Sequence, residues 1–234
     1  MKKILFMTFF LAIAFSGHSQ TAEEYLSSGI AKRAAKDFRG AIADFSRAAE
    51  LNPAYAEAYY NRGLDRNNVL DYQGAIVDFT KAISINPKYA LAYYDRGLSR
   101  SNLLDAKAAI DDFTKSIAID PDEAVYQARG VAKNSIKDYK GAIADFTRVI
   151  ELDPQNAVAW FLRGNARGAM KDFNGAIDDY TRVIGISPKF RDAWFNRAIA
   201  KFEAGNNNGG CMDLNKAKEL GVKEAFELIR KYCR

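Results

Sequence analysis

The stretch "DYQGAIVDFTKAISINP", residues 71–87, is written five times in this chain with variations. Upstream stands "KDFRGAIADFSRAAELNP"; downstream come "LDAKAAIDDFTKSIAIDP", "KDYKGAIADFTRVIELDP" and "KDFNGAIDDYTRVIGISP". The closing prolines Pro53, Pro87, Pro121, Pro154 and Pro188 are spaced 34, 34, 33 and 34 residues apart. A fixed period of this length denotes stacked supersecondary units rather than one irregular core.

Within residues 56–89, Ala56, Tyr59, Tyr60, Gly63 and Leu64 fall at helical spacing, as do Ala75, Ile76, Phe79, Ala82 and Ile83. Between them "LDYQG" supplies Asp71 where a second helix needs a cap, and Pro87 keeps that helix from running on. The unit is therefore helix, turn, helix. Small Gly63 and Ala75 are expected to face each other across the pair, with Phe79 and Tyr59 filling the space on either side.

These positions resemble the tetratricopeptide repeat, whose pattern asks for an aromatic, Gly four residues on, Ala-x3-Phe, then Pro. The chain offers Tyr25, Gly29, Ala41, Phe45, Pro53, then Tyr59, Gly63, Ala75, Phe79, Pro87, then Tyr93, Gly97, Ala109, Phe113, Pro121. It continues with Tyr126, Gly130, Ala142, Phe146, Pro154 and Trp160, Gly164, Ala176, Tyr180, Pro188, while a sixth unit keeps only Trp194, Ala198, Gly210 and Leu214. The resemblance implies an all-α right-handed solenoid of about six units: 22–55, 56–89, 90–122, 123–156, 157–190 and 191–221. Its first helices would line a concave groove. Residues 222–234 read as a capping helix, with Val222, Ala225, Phe226, Ile229 and Cys233 expected on one apolar face.

Residues 1–19 have the layout of an export signal: Lys2 and Lys3, an apolar run from Ile4 to Phe15, then small Gly17 and Ser19. Twelve apolar residues fall short of the ~20 that span a bilayer, and no Cys near the cleavage point suggests a lipid anchor. The mature chain is expected in the periplasm or outside the cell, with association with the envelope as a further option and no integral membrane span. Cleavage would remove His18, the only histidine, and leave 32 basic against 29 acidic residues. That balance does not point to nucleic acid. The lost imidazole removes the commonest general base and metal ligand. "NNNGG" at 206–210 lacks the Lys and Ser/Thr of a phosphate loop, and the pairs Asp111–Asp112 and Asp178–Asp179 point about 100° apart on a helix. No enzyme, cofactor or metal is implied.

Where the family usually places Leu and Tyr, this chain has two basic columns: Arg62, Arg96, Arg129, Arg163, Arg197, and four residues on Lys32, Arg66, Arg100, Lys133, Arg167, Lys201. Like charges at i, i+4 repel. Sixteen residues after each Arg of the first column stands Asp78, Asp112, Asp145, Asp179 or Asp213, and Asp44 holds that place in the first unit, where Ser28 replaces Arg. An Arg–Asp ladder between the paired helices is expected; the alternative is a basic stripe for an acidic protein or polyanion.

By resemblance, groove positions include Tyr60, Leu64, Asn67, Tyr94, Leu98, Gln127, Asn134, Phe161, Asn165, Phe195 and Phe202, a mixture suited to holding a protein or peptide segment. The Lys, Arg and Asn set that clamps a chaperone C-terminal carboxylate in some relatives is absent, Arg33 apart. The expected function is a non-catalytic interaction scaffold, with a structural self-assembling component, a homo-oligomer, as the other possibility. Cys211 and Cys233 are the only cysteines. Cys211 takes the place of the Ile column (Ile42, Ile76, Ile110, Ile143, Ile177), and an antiparallel cap would bring Cys233 back beside it, so a disulfide is expected.

Overall fold

The computed structural model describes residues 20–233; the expected export signal lies outside the described residues. The helices come in pairs: α1 (Ala22–Ala34) with α2 (Phe38–Leu51), α3 (Ala56–Asn68) with α4 (Tyr72–Ile85), and α5 (Ala90–Asn102) with α6 (Ala106–Ile119). Then follow α7 (Glu123–Ser135) with α8 (Tyr139–Leu152), α9 (Ala157–Ala169) with α10 (Phe173–Ile186), and α11 (Arg191–Glu203) with α12 (Asn207–Glu219). A single helix, α13 (Glu224–Tyr232), closes the array.

Each even helix starts on the residue the sequence supplies for it. Asp71 accepts from the Gly74 amide, and Asp37, Asp138 and Asp172 do the same for Gly40, Gly141 and Gly175. In the third unit Ala108 takes the glycine's place and its amide still reaches Asp105, at 3.2 Å. The residue before each capping Asp lies in the left-handed region: Lys36, Leu70, Leu104, Lys137 and Lys171 have φ of 62–64°. Only the sixth unit uses glycine there, Gly205 at φ 81°. The tight turn is therefore built mostly from residues that disfavour it.

Inside a pair the small residue does not meet another small residue, contrary to expectation. The ring of the even helix lies directly on the glycine of the odd one: a Cβ on Gly63 would fall 2.7 Å from Phe79, and Gly29, Gly97, Gly130 and Gly164 sit equally close to Phe45, Phe113, Phe146 and Tyr180. The glycine leaves a slot for a ring that is fully buried. Tyr59 instead lies between units, against Ala48 and Ala58 on one side and Ala82, Ile83 and Ala92 on the other. The Ile column also works between units, Ile143 against the cluster holding Ala166 and Ile177 against the one holding Ala200.

The cap buries Val222 and Ala225, with Leu228, Ile229 and Cys233 packed against Ala198, Leu214 and Ala217. Phe226 does not join them. It is 49% exposed, 100° around α13 from Ala225, with the Lys218 ammonium 5.1 Å from its ring centre. Cys211 and Cys233 are disulfide-bonded, tying α12 to the end of α13.

Candidate functional site

Each Arg of the first column lies between three helices. In the second unit Arg62 Nε and Nη2 donate to the two carboxylate oxygens of Asp78 on α4, at 2.9 and 2.6 Å. Its Nη1 donates to Ser46 Oγ on α2, in the preceding unit, and its guanidinium lies 5.4 Å from the Tyr59 ring centre. Arg96, Arg129, Arg163 and Arg197 repeat the fork on Asp112, Asp145, Asp179 and Asp213. They repeat the third bond on Thr80, Thr114, Thr147 and Thr181. The second basic column ends on the same carboxylates: Arg66 on Asp78, Arg100 on Asp112, Lys133 on Asp145, Arg167 on Asp179, Lys201 on Asp213 and Lys32 on Asp44. Ser28, lacking a charge, donates to Asp44 instead. Two cations per carboxylate resolve the repulsion along the column, and a fixed bidentate fork suits arginine geometry. The hydroxyl column was not anticipated. Its signal is a Ser or Thr 15 or 16 residues before each Arg, mirroring the Asp sixteen after it.

The odd helices touch one another along the stack, α1 to α3, α3 to α5 and onward to α11, so they form the tighter, inner surface. Several expected groove residues are engaged there with neighbouring units. Tyr60 donates to Asp95 at 2.8 Å and stacks on Tyr89, with ring centres 4.7 Å apart. Burial, then the Asp95 charge, pushes the Tyr60 phenol far above its ordinary range. Burial raises the Asp95 carboxyl to about 6, against the opposing pull of the Tyr60 hydrogen bond. Asn67 accepts from Ser99, and Asn165 accepts from both Tyr180 and Asn196. Phe161 stacks on Phe190 and Phe202 on Tyr232. Arg33 is held by Asn61 and the fully buried Asp65, whose second oxygen has no partner.

Other groove residues line open space. Tyr94, Leu98 and Gln127 wall a cleft of about 610 Å³ between α5 and α7, together with Ser101, Leu104, Val131 and Ile136. Phe161 and Phe195 border a second cleft, about 500 Å³, closed by Val222 and Lys223 ahead of the cap. Asn165 lines a smaller one of about 210 Å³ with Tyr180 and Ile199. Leu64 and Asn134 are half-buried on α3 and α7. Among the described residues no group of His, Cys, Asp and Glu could hold a metal ion, and no helix is long and apolar enough to cross a membrane.

Comparison with known proteins agrees with this architecture. Profiles described as tetratricopeptide repeat match residues 56–89, 90–123, 124–156 and 157–190, and one described as TPR repeat matches 29–64. No curated protein matches the sequence. Among solved structures, YrrB, described as a TPR protein with an unusual peptide-binding site, superposes with a TM-score of 0.73 at 22% identity, over 80% of this chain and 97% of that one. The MamA protein gives 0.68 at 24% identity, over 76% and 94%. A tetratricopeptide repeat protein from Parabacteroides merdae gives 0.60 at 18%, over 91% and 84%. At these identities the structures speak for the fold alone. With repeat matches running from residue 29 to 190 and, among the described residues, twelve paired helices closed by a thirteenth, the chain belongs to the tetratricopeptide repeat family.

Proposed function

We propose that this chain is a non-catalytic scaffold that holds a segment of a partner protein along the inner surface of its odd helices. The α5–α7 cleft carries this reading. Its walls come from α5 and α7, with Ala106 and Phe113 of α6 and the turn residue Leu104 between them, and Leu104, Val131 and Ile136 are 90, 48 and 43% exposed within it. Contiguous exposed apolar surface of this kind on a single chain marks an interaction site. The peptide-binding site named for YrrB supports the same use of the fold. The basic-stripe alternative has little to work with, because every guanidinium of the first column is forked onto a carboxylate. A selection of displayed peptides on the purified protein tests the reading. Ligands should emerge whose binding fails in Tyr94→Ala/Val131→Asp; ligands insensitive to that change and sensitive to substitutions on even helices would move the site to the outer face.

We propose that the scaffold works outside the cytoplasm; the export-signal layout of residues 1–19 and the Cys211–Cys233 disulfide support this, since such bonds persist in oxidising compartments. N-terminal sequencing of the protein from an envelope or periplasmic fraction checks this: a start near Gln20 is expected, and an intact Met1 or a cytoplasmic pool would contradict it.

A further inference from the structure

Two first-helix rings are covered by the last residue of their own unit, which caps the next odd helix. Tyr60 lies under Tyr89 at 4.7 Å and Phe161 under Phe190 at 4.9 Å, each covering ring standing immediately before the next odd helix. Before α7 that residue is Asp122. The connection is one residue short there: α7 starts two residues after Pro121, whereas α3, α5, α9 and α11 start three after their prolines. Tyr94 keeps the tilted contact with Phe113, 6.0 Å between centres, that Tyr60 makes with Phe79 and Phe161 with Tyr180, but among the described residues no second ring pairs with it. The facing wall is also cut back. Ala124 and Ala128 stand where α5 has Leu91 and Asp95 and α9 has Val158 and Leu162. The cleft exists because these three substitutions coincide.

The connection that leads into α7 carries charge of one sign, with Glu123 taken up by Asn156. Residues 120–124, "DPDEA", hold three carboxylates, where 52–56 ("NPAYA") and 86–90 ("NPKYA") hold none. Asp122 is exposed and caps the Ala124 amide at 2.8 Å. Burial raises the Tyr94 phenol, and the charges of Asp95, which accepts from Tyr60, and of Asp122 raise it further.

We infer that the α5–α7 cleft is the subsite for an aromatic side chain flanked by lysine or arginine on the partner segment. The inference rests on the groove reading and names its ligand chemistry. The incoming ring takes the place over Tyr94 that Tyr89 and Phe190 fill over Tyr60 and Phe161, against Leu98 and Val131. The flanking cations meet Asp122 and its neighbours, while an acidic segment is repelled.

The test uses fluorescence anisotropy with an end-blocked, labelled peptide Gly-Lys-Trp-Lys-Gly and two analogues, one with Ser for Trp and one with Glu for both Lys. The purified protein should bind the first at least five-fold tighter than either analogue. Val131→Lys, at an exposed position, should abolish binding. Asp122→Asn, which keeps the cap, should weaken the Lys peptide about three-fold and flatten its salt dependence, with both variants melting like wild type. Equal binding of the Lys and Glu peptides, both lost in Val131→Lys, would overturn the charge preference and leave the groove reading standing. Binding unchanged by either substitution, or none at all, would overturn the subsite; peptides selected on the whole protein then judge the broader reading separately.

Discussion

In the third unit Gly97 lies under the ring of Phe113; in the sixth the same two places hold Ala198 and Leu214, both fully buried. A second exchange sits beside the first. Ser101 and Ala109 of the third unit become Phe202 and Gly210, and a Cβ on Gly210 would fall 2.8 Å from the Phe202 ring. Read against a consensus, the sixth unit has lost its glycine, its phenylalanine and its proline. Read as packing, it has moved bulk from the even helix to the odd one. Core volume is conserved by pairs, which is the condition under which cores tolerate substitution. What is not replaced by packing is replaced by the disulfide to the cap.

The largest expected effect is on what both regions share. Arg163 is 8% exposed and Asp179 1%, so Arg163→Ala removes the fork and leaves a buried carboxylate with Arg167 alone. A loss of about 3 kcal/mol is expected from thermal or denaturant unfolding, the range for breaking buried pairs. A change under ~0.5 kcal/mol, the size typical of surface pairs, would mean the column is not structural. Next comes the end region alone. Cys233→Ser opens a 22-residue loop, worth up to about 3 kcal/mol in the chain-entropy model. Because units in a solenoid open semi-independently, hydrogen exchange should accelerate in α11–α13 and stay unchanged in α3–α8. Uniform acceleration would make the array one cooperative block.

Gly97→Ala places a Cβ 2.6 Å from a ring that cannot move, and overpacking of that kind costs roughly 2 kcal/mol. Adding Phe113→Leu recreates the sixth unit's pair and should recover about half of it. If the double variant is worse than the sum of the singles, the two solutions are not interchangeable. Asp95 corresponds to Asn196 of the sixth unit. A carboxyl raised to about 6 when folded contributes stability that is complete below its unfolded pKa and lost as pH rises through 6. Asp95→Asn should therefore raise the unfolding free energy at pH 7–8, by on the order of 1–2 kcal/mol, and change it little near pH 4. The smallest effect concerns the turn. Lys137→Gly at φ 64° should stabilise by up to ~1 kcal/mol, and Gly205→Lys, the reverse change in the sixth unit, should cost as much.

Most of this fold was legible because it is periodic. Five copies turn a weak pattern into a register, which pairs Arg62 with Asp78 and puts Cys211 in the Ile column, where an antiparallel cap brings Cys233 beside it. Three things were not legible. The glycine's partner was taken to be Ala75, because spacing identifies a face and not which side chain crosses it. Phe226 was placed in the core, since a nine-residue helix allows two apolar faces and only the position of α12 selects Leu228 over Phe226. The hydrogen bonds of Tyr60, Asn67 and Asn165 could not be foreseen, as they join units whose rotation relative to one another no local pattern encodes. The cleft over Tyr94 had a trace in the sequence, the single 33-residue interval, which reads as noise until the covering ring is seen to be missing.

The charged columns hold the helices together, and the inner surface is proposed to hold a partner. Amide chemical-shift mapping of the isotope-labelled protein, titrated with a peptide selected on it, separates the two most directly. The largest shifts should fall on α5 and α7, around Tyr94, Leu98, Gln127 and Val131, with the Arg96 and Arg129 side-chain Nε–H signals unmoved. Shifts centred on the arginine column or on the even helices would contradict it.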